Sequence, residues 1–252
     1  FKNMKLKTLF TMDYRWAMRF FRKRSSQYVR YYRSKLIGRR YWINSFGVKL
    51  GFITPYHHNI AQIHAANGHE PEIVKQWANA SKSASFIYDV GGYNGVFGLI
   101  SAKINPKAYV VIFEPDAINY AQVEANIALN GLKNCTARNI AISNFNGIVK
   151  FEANGSSGAH IHVEGGDTKS IKEVPCMRLD SFPKADLIKI DCEGEEGRII
   201  EGIDFSNKPI LFLEHHNWLK DPETMWKRLA SFGYQPNLIE SNRDSSNHIL
   251  RA

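Results

Sequence analysis

Cysteine is scarce in this chain. Its 252 residues hold only Cys135, Cys176 and Cys192, an odd number with no C-x-x-C pair. A disulfide framework and a cysteine-ligated zinc are therefore not expected, and a reducing, cytoplasmic setting is. Long apolar runs are also missing. The longest clean ones, Val110–Phe113 and Ile210–Leu213, are strand-sized, far short of the roughly 18 residues that a membrane span needs. No secretory signal is apparent. Acids are nearly absent from one region: residues 1–50 carry 14 Lys or Arg and a single acid, Asp13. The remaining residues carry 19 basic and 23 acidic side chains, so the basic character belongs to an arm and not to the body.

Within that arm, Phe10, Tyr14, Ala17, Phe21, Tyr28 and Tyr32 recur at spacings of three, four or seven, which predicts a helix over 8–36. Arginines and lysines surround this aromatic stripe. The plainest account is a helix packed on the body with a solvated basic side. Docking at an anionic membrane surface and contact with nucleic acid fit the same pattern, the second less well, because the body is net acidic. The expected organisation is a basic, aromatic helical arm over 1–50, a helical lead-in over 51–84 that includes a helix from Pro71, and one domain over 85–252.

From Phe86 the chain alternates between strand and helix. Strands are expected at 86–89, 108–113, 136–140, 187–190 and 210–214, with further strand signals at 236–240 and 247–251. Helices are expected at 95–104, 117–129, 195–203 and 222–232, and a looser β-like region at 147–180. Strands parted by single helices imply an α/β fold, an open and mostly parallel sheet with helices on both faces. Ligands of such sheets bind beyond the carboxyl ends of the strands, and the chemistry-bearing residues fall there.

The first strand ends in Asp89-Val-Gly-Gly-Tyr-Asn-Gly95, in which Gly91, Gly92 and Gly95 permit close backbone approach or positive φ. The adjacent glycines fit the dinucleotide fingerprint G-x-G-x-x-G poorly. Asp89 would repel a pyrophosphate and welcome an ammonium, which favours S-adenosylmethionine; its alternative role is to cap a tight turn. Glu114 ends the second strand, 19 residues after Gly95, where an acid can accept from both ribose hydroxyls. Asp116 is a good N-cap for the helix that follows.

The stretch Leu187-Ile-Lys-Ile-Asp-Cys-Glu-Gly-Glu-Glu196 places Lys189 and Asp191 on one face of a strand. Charges so near a buried sheet are costly unless paired or used. Either Lys189 forms a structural pair with Asp191 or Glu193, or these acids face an acceptor. The next strand ends Glu214-His-His216, with His215 or His216 available as a base. His160 and His162 alternate as metal ligands would, but without a third ligand no metal is expected. His57-His58 reads as a surface turn.

Together these motifs make the chain resemble the FkbM family of S-adenosylmethionine-dependent methyltransferases. The resemblance rests on Asp89-Val-Gly91 with Gly95, Phe113-Glu-Pro-Asp116, Glu124-Ala-Asn-Ile-Ala-Leu-Asn-Gly131, Ala141-Ile-Ser143 with Gly147, Leu179-Asp180, Ile188-Lys-Ile-Asp-Cys-Glu-Gly-Glu-Glu196 and Pro209 to His215. It spans roughly residues 70–216 and leaves the arm outside. It implies a Rossmann-like, seven-stranded sheet with the last strand antiparallel, and O-methylation of a hydroxyl on a sugar, glycolipid or other small biosynthetic intermediate. By similarity, Asp89 and Gly91 would line the methionine end, Glu114 the ribose and Ile140-Ala141 the adenine. Asp191 and Glu193 would lie toward the acceptor, with His215 a second candidate base. One departure stands out: the family's Gly-Ala-Asn is Gly91-Gly92-Tyr93 here, so the missing amide falls to Asn94 or to the Tyr93 hydroxyl. The rival readings are an NAD-dependent oxidoreductase, an RNA methyltransferase that uses the arm, and a non-catalytic membrane or scaffold module on the same fold.

Overall fold

The computed structural model describes residues 39–54, 71–152, 161, 171–216, 222–241 and 245–252. The helix expected over 8–36, the His57-His58 pair and the His160/His162 pair lie outside the described residues.

Seven strands form the main sheet: β3 (Phe86–Val90), β4 (Tyr109–Phe113), β5 (Cys135–Arg138), β9 (Leu187–Ile190), β10 (Ile210–His216), β11 (Gln235–Ser241) and β12 (Ser245–Arg251). Their order is β11-β12-β10-β9-β3-β4-β5. The five strands from β10 to β5 pair in parallel, and β12 runs antiparallel to both its neighbours. Chain order reverses between β3 and β9, and a crevice opens there beyond the strand ends.

Alternation along β3 explains why both faces are covered. Ile87 joins the core on one side with Trp77, Leu99, Ile112, Val123 and Phe212, beneath α1 (Pro71–Ser81), α2 (Val96–Ile104) and α3 (Ala117–Leu129). Tyr88 and Val90 join the other core with Phe113, Ile190, Ile199, Leu211 and Met225, against α4 (Glu196–Glu201) and α5 (Pro222–Ser231). Strands buried on both faces read as near-continuous apolar runs. Helix boundaries follow local chemistry. Asp116 accepts from the N–H groups of Ile118 and Asn119 at the start of α3, and Gly131, at φ 63°, follows its last turn.

Two features depart from expectation. The first is a hairpin of β1 (Arg39–Ser45) and β2 (Val48–Thr54), joined at Phe46-Gly47. It crosses the expected boundary at residue 50, so residues 39–50 are strand instead of helical arm, and 51–54 are strand instead of helical lead-in. The cause lies in α3. Asn130 accepts from Gly51 N–H at 2.8 Å and donates to Gly51 O at 2.7 Å, and Asn126 accepts from Ile53 N–H at 2.8 Å. Leu50 and Phe52 are then wholly buried in the first core. The second is a small sheet of order β6-β8-β7, built from β6 (Ala141–Ile142), β7 (Gly147–Glu152) and β8 (Ile171–Met177), which organises part of the looser region. Its β6 lies just past the end of β5, which stops at Arg138 and not at Ile140.

Candidate active site

A cavity opens at the crevice between the tips of β3, β4 and β9. Gly91, Tyr93, Glu114, Ile140, Ala141, Asp191 and Glu193 all line it. These include seven of the residues singled out in the sequence. Its apolar walls come from Val90, Phe113, Ile142, Phe151 and Ile161.

Gly91 has φ +80°, and a Cβ there would lie 1.8 Å from the Asp191 carbonyl oxygen. Glycine is thus required because two strand tips touch through backbone. Gly92 and Gly95 do not reach the wall of the cavity. A Cβ on Gly92 would lie 2.1 Å from Ile112 Cγ2, and Gly95 adopts φ +85° just before α2. The loop's N–H groups are spent internally: those of Gly91 and Gly92 both donate to Phe113 O, and that of Gly95 to Gly92 O.

Asp89 does not line the cavity. It is wholly buried under the loop, and its Oδ2 accepts from Gly98 N–H at 2.8 Å in the first turn of α2. The period of two explains this, because Asp89 shares the face of Ile87 and points at α2. Burial raises its pKa, partly offset by Lys189 and by the Gly98 hydrogen bond. Capping is therefore the role its geometry supports. Asn94 turns inward as well, accepting from Val96 N–H at 3.2 Å, which leaves Tyr93 as the loop side chain at the cavity.

Glu114 is 4% exposed yet borders the cavity. Its Oε2 accepts from Tyr93 N–H at 2.7 Å and its Oε1 from Asp116 N–H at 2.8 Å. Each carboxylate oxygen keeps a further lone pair. Burial and the Asp116 charge push the Glu114 carboxyl well above the usual range. A buried acid held at both oxygens and edged by a cavity fits a ribose diol. Ile140, Ala141 and Phe151 add apolar lining to the same cavity. The described residues thus suit a nucleoside-bearing cofactor of the S-adenosylmethionine kind.

At the tip of β9, Lys189 is buried and its Nζ lies 2.7 Å from Asp191 Oδ2. The ammonium also sits 4.6 Å from the Phe97 ring centroid. Burial alone would raise the Asp191 carboxyl, but Lys189 outweighs it and holds the group below its ordinary value. Beyond Asp191 the chain turns at Glu193, with φ 52°, and Glu196 Oε1 accepts from the N–H groups of Cys192 and Gly194. Cys192 and Glu195, which the sequence reading did not select, also line the cavity, and Glu195 accepts from the Ser143 hydroxyl.

The histidine at this site is His216, and not His215. Strand β10 continues to His216, so Glu214 and His216 share the face of Phe212 and His215 takes the opposite one. His215 packs against Trp226 of α5 with ring centroids 5.7 Å apart. His216 is 4% exposed, with Nδ1 3.3 Å from Glu196 Oε1 and Nε2 3.5 Å from Glu193 Oε2. Burial alone would lower its pKa; the hydrogen bond and charge of Glu196, with the charges of Asp191 and Glu193, more than reverse this.

The family model described as the methyltransferase FkbM domain matches residues 89–236. Hexuronic acid methyltransferase AglP from Haloferax volcanii is 23% identical over 181 residues, which cover 69% of this chain and 74% of that protein. Among solved structures, a methyltransferase FkbM from Methylobacillus flagellatus KT aligns with TM-score 0.48 and 14% identity, over 91% of this chain and 59% of that one. M. jannaschii TYW2 in complex with AdoMet aligns with TM-score 0.47 and 14% identity, over 84% of each chain.

Proposed function

The chain belongs to the FkbM methyltransferase family, and we propose that it transfers the methyl group of S-adenosylmethionine to a hydroxyl of a sugar. The observation that carries this reading is that Asp191 and Glu193 line the same cavity as Glu114, with His216 Nε2 behind them 3.5 Å from Glu193 Oε2. Such a lining offers several hydrogen-bond acceptors to a polyhydroxyl acceptor. Similarity to a hexuronic acid methyltransferase supports a sugar as the acceptor class.

Bound S-adenosylmethionine supplies a methyl already activated on a sulfonium. The protein's part is alignment and proton removal. Holding an oxygen in line with the reacting carbon is worth, at its limit, about 7–11 kcal/mol. Glu114 anchors the ribose side, and Gly91 keeps the loop close to the tip of β9. Asp191, held ionised by Lys189, is a weak base but a fixed hydrogen-bond acceptor, suited to orienting the acceptor hydroxyl. The proton released passes to the carboxylates around it.

Calorimetry with S-adenosylhomocysteine followed by transfer of labelled methyl to a panel of hexoses and hexuronic acids tests the reading. One-to-one binding with label in an ether linkage is the expected result. Label in a base-labile ester would show that a carboxylate is the acceptor and overturn the hydroxyl assignment.

A further inference from the structure

We propose that the hairpin of β1 and β2 is a docking surface for an anionic membrane, with Arg40, Trp42, Phe46 and Lys49 as its contact residues. The proposal concerns where the chain works and is independent of the chemistry in the cavity.

The hairpin is a two-stranded sheet of its own. Side chains alternate across it. Tyr41, Ile43, Leu50 and Phe52 pack into the first core, and Asn126 and Asn130 tie the backbone of β2 to α3. The cross-strand pairs Arg40–Ile53, Trp42–Gly51 and Asn44–Lys49 therefore share the outer face. Arg40, Asn44 and Lys49 are exposed, and Trp42 keeps 50% and Phe46 38% of its surface in solvent. Residues 39–54 include Arg39, Arg40 and Lys49 and no acid.

The turn carries a second, independent sign. Phe46 holds φ 49° and Gly47 φ 80°. Hairpin turns with two positive φ angles favour Asn-Gly, because a bulky side chain is disfavoured in the left-handed region. Phe46 belongs to none of the cores, so burial does not offset that strain. Strained backbone of this kind collects at functional positions. An aromatic ring held in solvent at a hairpin tip is suited to insertion between lipid headgroups.

Charge selects the occupant. Residues 1–38, which lead into β1, carry eleven Lys or Arg and one acid. Like charge disfavours that segment as the cover of the hairpin, and both are drawn to anions. Nucleic acids and lipid headgroups both offer phosphates, and the setting of Trp42 favours lipid. Its six-membered ring packs on Gly51, where a Cβ would come within 2.9 Å of Cζ3, and Lys49 Nζ lies 5.2 Å from the ring centroid. A base needs a free ring face on which to stack. A bilayer interface needs an amphipathic ring beside a cation whose charged end stays at headgroup level.

The test is flotation of the full chain with vesicles of phosphatidylcholine, with and without one-third phosphatidylserine. Binding to the anionic vesicles is expected, and it should weaken as salt rises from about 0.1 to 1 M and the screening length falls from about 10 to 3 Å. Lys49→Gln should weaken it about five-fold. Trp42→Ala and Phe46→Asn should each weaken it by about ten-fold, through the apolar area they no longer bury. Phe46→Asn relieves the turn, so its melting temperature should rise while its vesicle binding falls, a pair of effects that misfolding cannot produce. Calorimetry with S-adenosylhomocysteine checks that each variant keeps its cofactor site. Vesicle binding unchanged in Phe46→Asn and Trp42→Ala would overturn the hairpin as the docking surface. Equal binding to vesicles without phosphatidylserine would overturn the anionic assignment. Retention on single-stranded RNA that the same variants weaken, without vesicle binding, would give the surface to nucleic acid and overturn the proposal.

Discussion

Nδ1 of His216 lies 3.3 Å from Oε1 of Glu196, a carboxylate with no solvent exposure that also accepts from the N–H groups of Cys192 and Gly194. One buried acid therefore shapes the turn after β9 and aims a ring carried by β10. His215, one residue earlier, takes no part in this. Replacing His216 with Ala should reduce methyl transfer by two or more orders of magnitude. His215→Ala should leave turnover within a few-fold and act mainly on stability. Side-by-side steady-state kinetics of the two variants decide the matter.

Asp191→Asn should lower kcat by about 10²-fold, as expected when the group that orients the reacting hydroxyl is lost, while the dissociation constant for S-adenosylhomocysteine stays within a few-fold. An equal collapse of binding would move Asp191 to the cofactor side of the cavity. Lys189→Met is a different experiment. It strands Asp191 and the buried Asp89 without their shared counter-charge, and breaking a buried pair from one side costs about 3–5 kcal/mol. Urea denaturation measures that loss.

Glu114→Gln keeps one acceptor for the two backbone N–H groups and one lone-pair oxygen for a ligand. We expect the affinity for S-adenosylhomocysteine to fall about ten-fold, close to 1.4 kcal/mol, with modest loss of stability. Calorimetry reads the first, thermal melting the second. Unchanged affinity would remove Glu114 from the cofactor site.

Asn130→Ala removes both hydrogen bonds to Gly51 and leaves a buried N–H and C=O unpaired. Each unsatisfied group costs about 1–3 kcal/mol. Amide exchange in β2 should accelerate by at least the factor that this loss implies, more than in β9. Uniform acceleration would show that the hairpin and the sheet open together.

His215 and His248 approach Trp226 from neighbouring strands, with ring centroids at 5.7 and 5.2 Å. Burial holds both imidazoles below their ordinary value of 6.5. The folded chain then binds fewer protons than the unfolded one, so this contribution to stability is complete above pH 6.5 and declines as pH falls through that value toward the folded pKa. Melting temperature should drop between pH 7.5 and 5.5, and less steeply in the His215→Gln/His248→Gln double variant. Parallel curves would assign the drop to other groups.

Much of the sheet was legible because its strands alternate with helices and end in recognisable chemistry. Glu114, Asp191 and Glu193 stand at strand tips, and all three border the cavity. What escaped was direction. Asp89 and Gly92 sit at a strand end, but a glycine needed to clear Ile112 and one needed to clear a ligand have the same spelling. Parity could have placed Asp89, since Ile87 two residues earlier belongs to the core beneath α2. A strand ending at Glu214 leaves His215 and His216 equally placed; two more residues put His216 on the face of Phe212 and Glu214. The hairpin was hidden by charge. Arg39, Arg40 and Lys49 drew it into a basic arm, although Leu50 and Phe52 alternate as a half-buried strand should. Its partners, Asn126 and Asn130, lie more than seventy residues away, which no local pattern reveals.

The near-collision between position 91 and the Asp191 carbonyl makes the two halves of the cleft share a wall. A side chain at 91 could be accommodated only by pushing the tip of β9 away, and with it Asp191. The loop after β3 and the tip of β9 are therefore mechanically one part. Phe151 and Ile161 line the same cavity through side chains, so they can be exchanged to reshape it without moving that shared backbone.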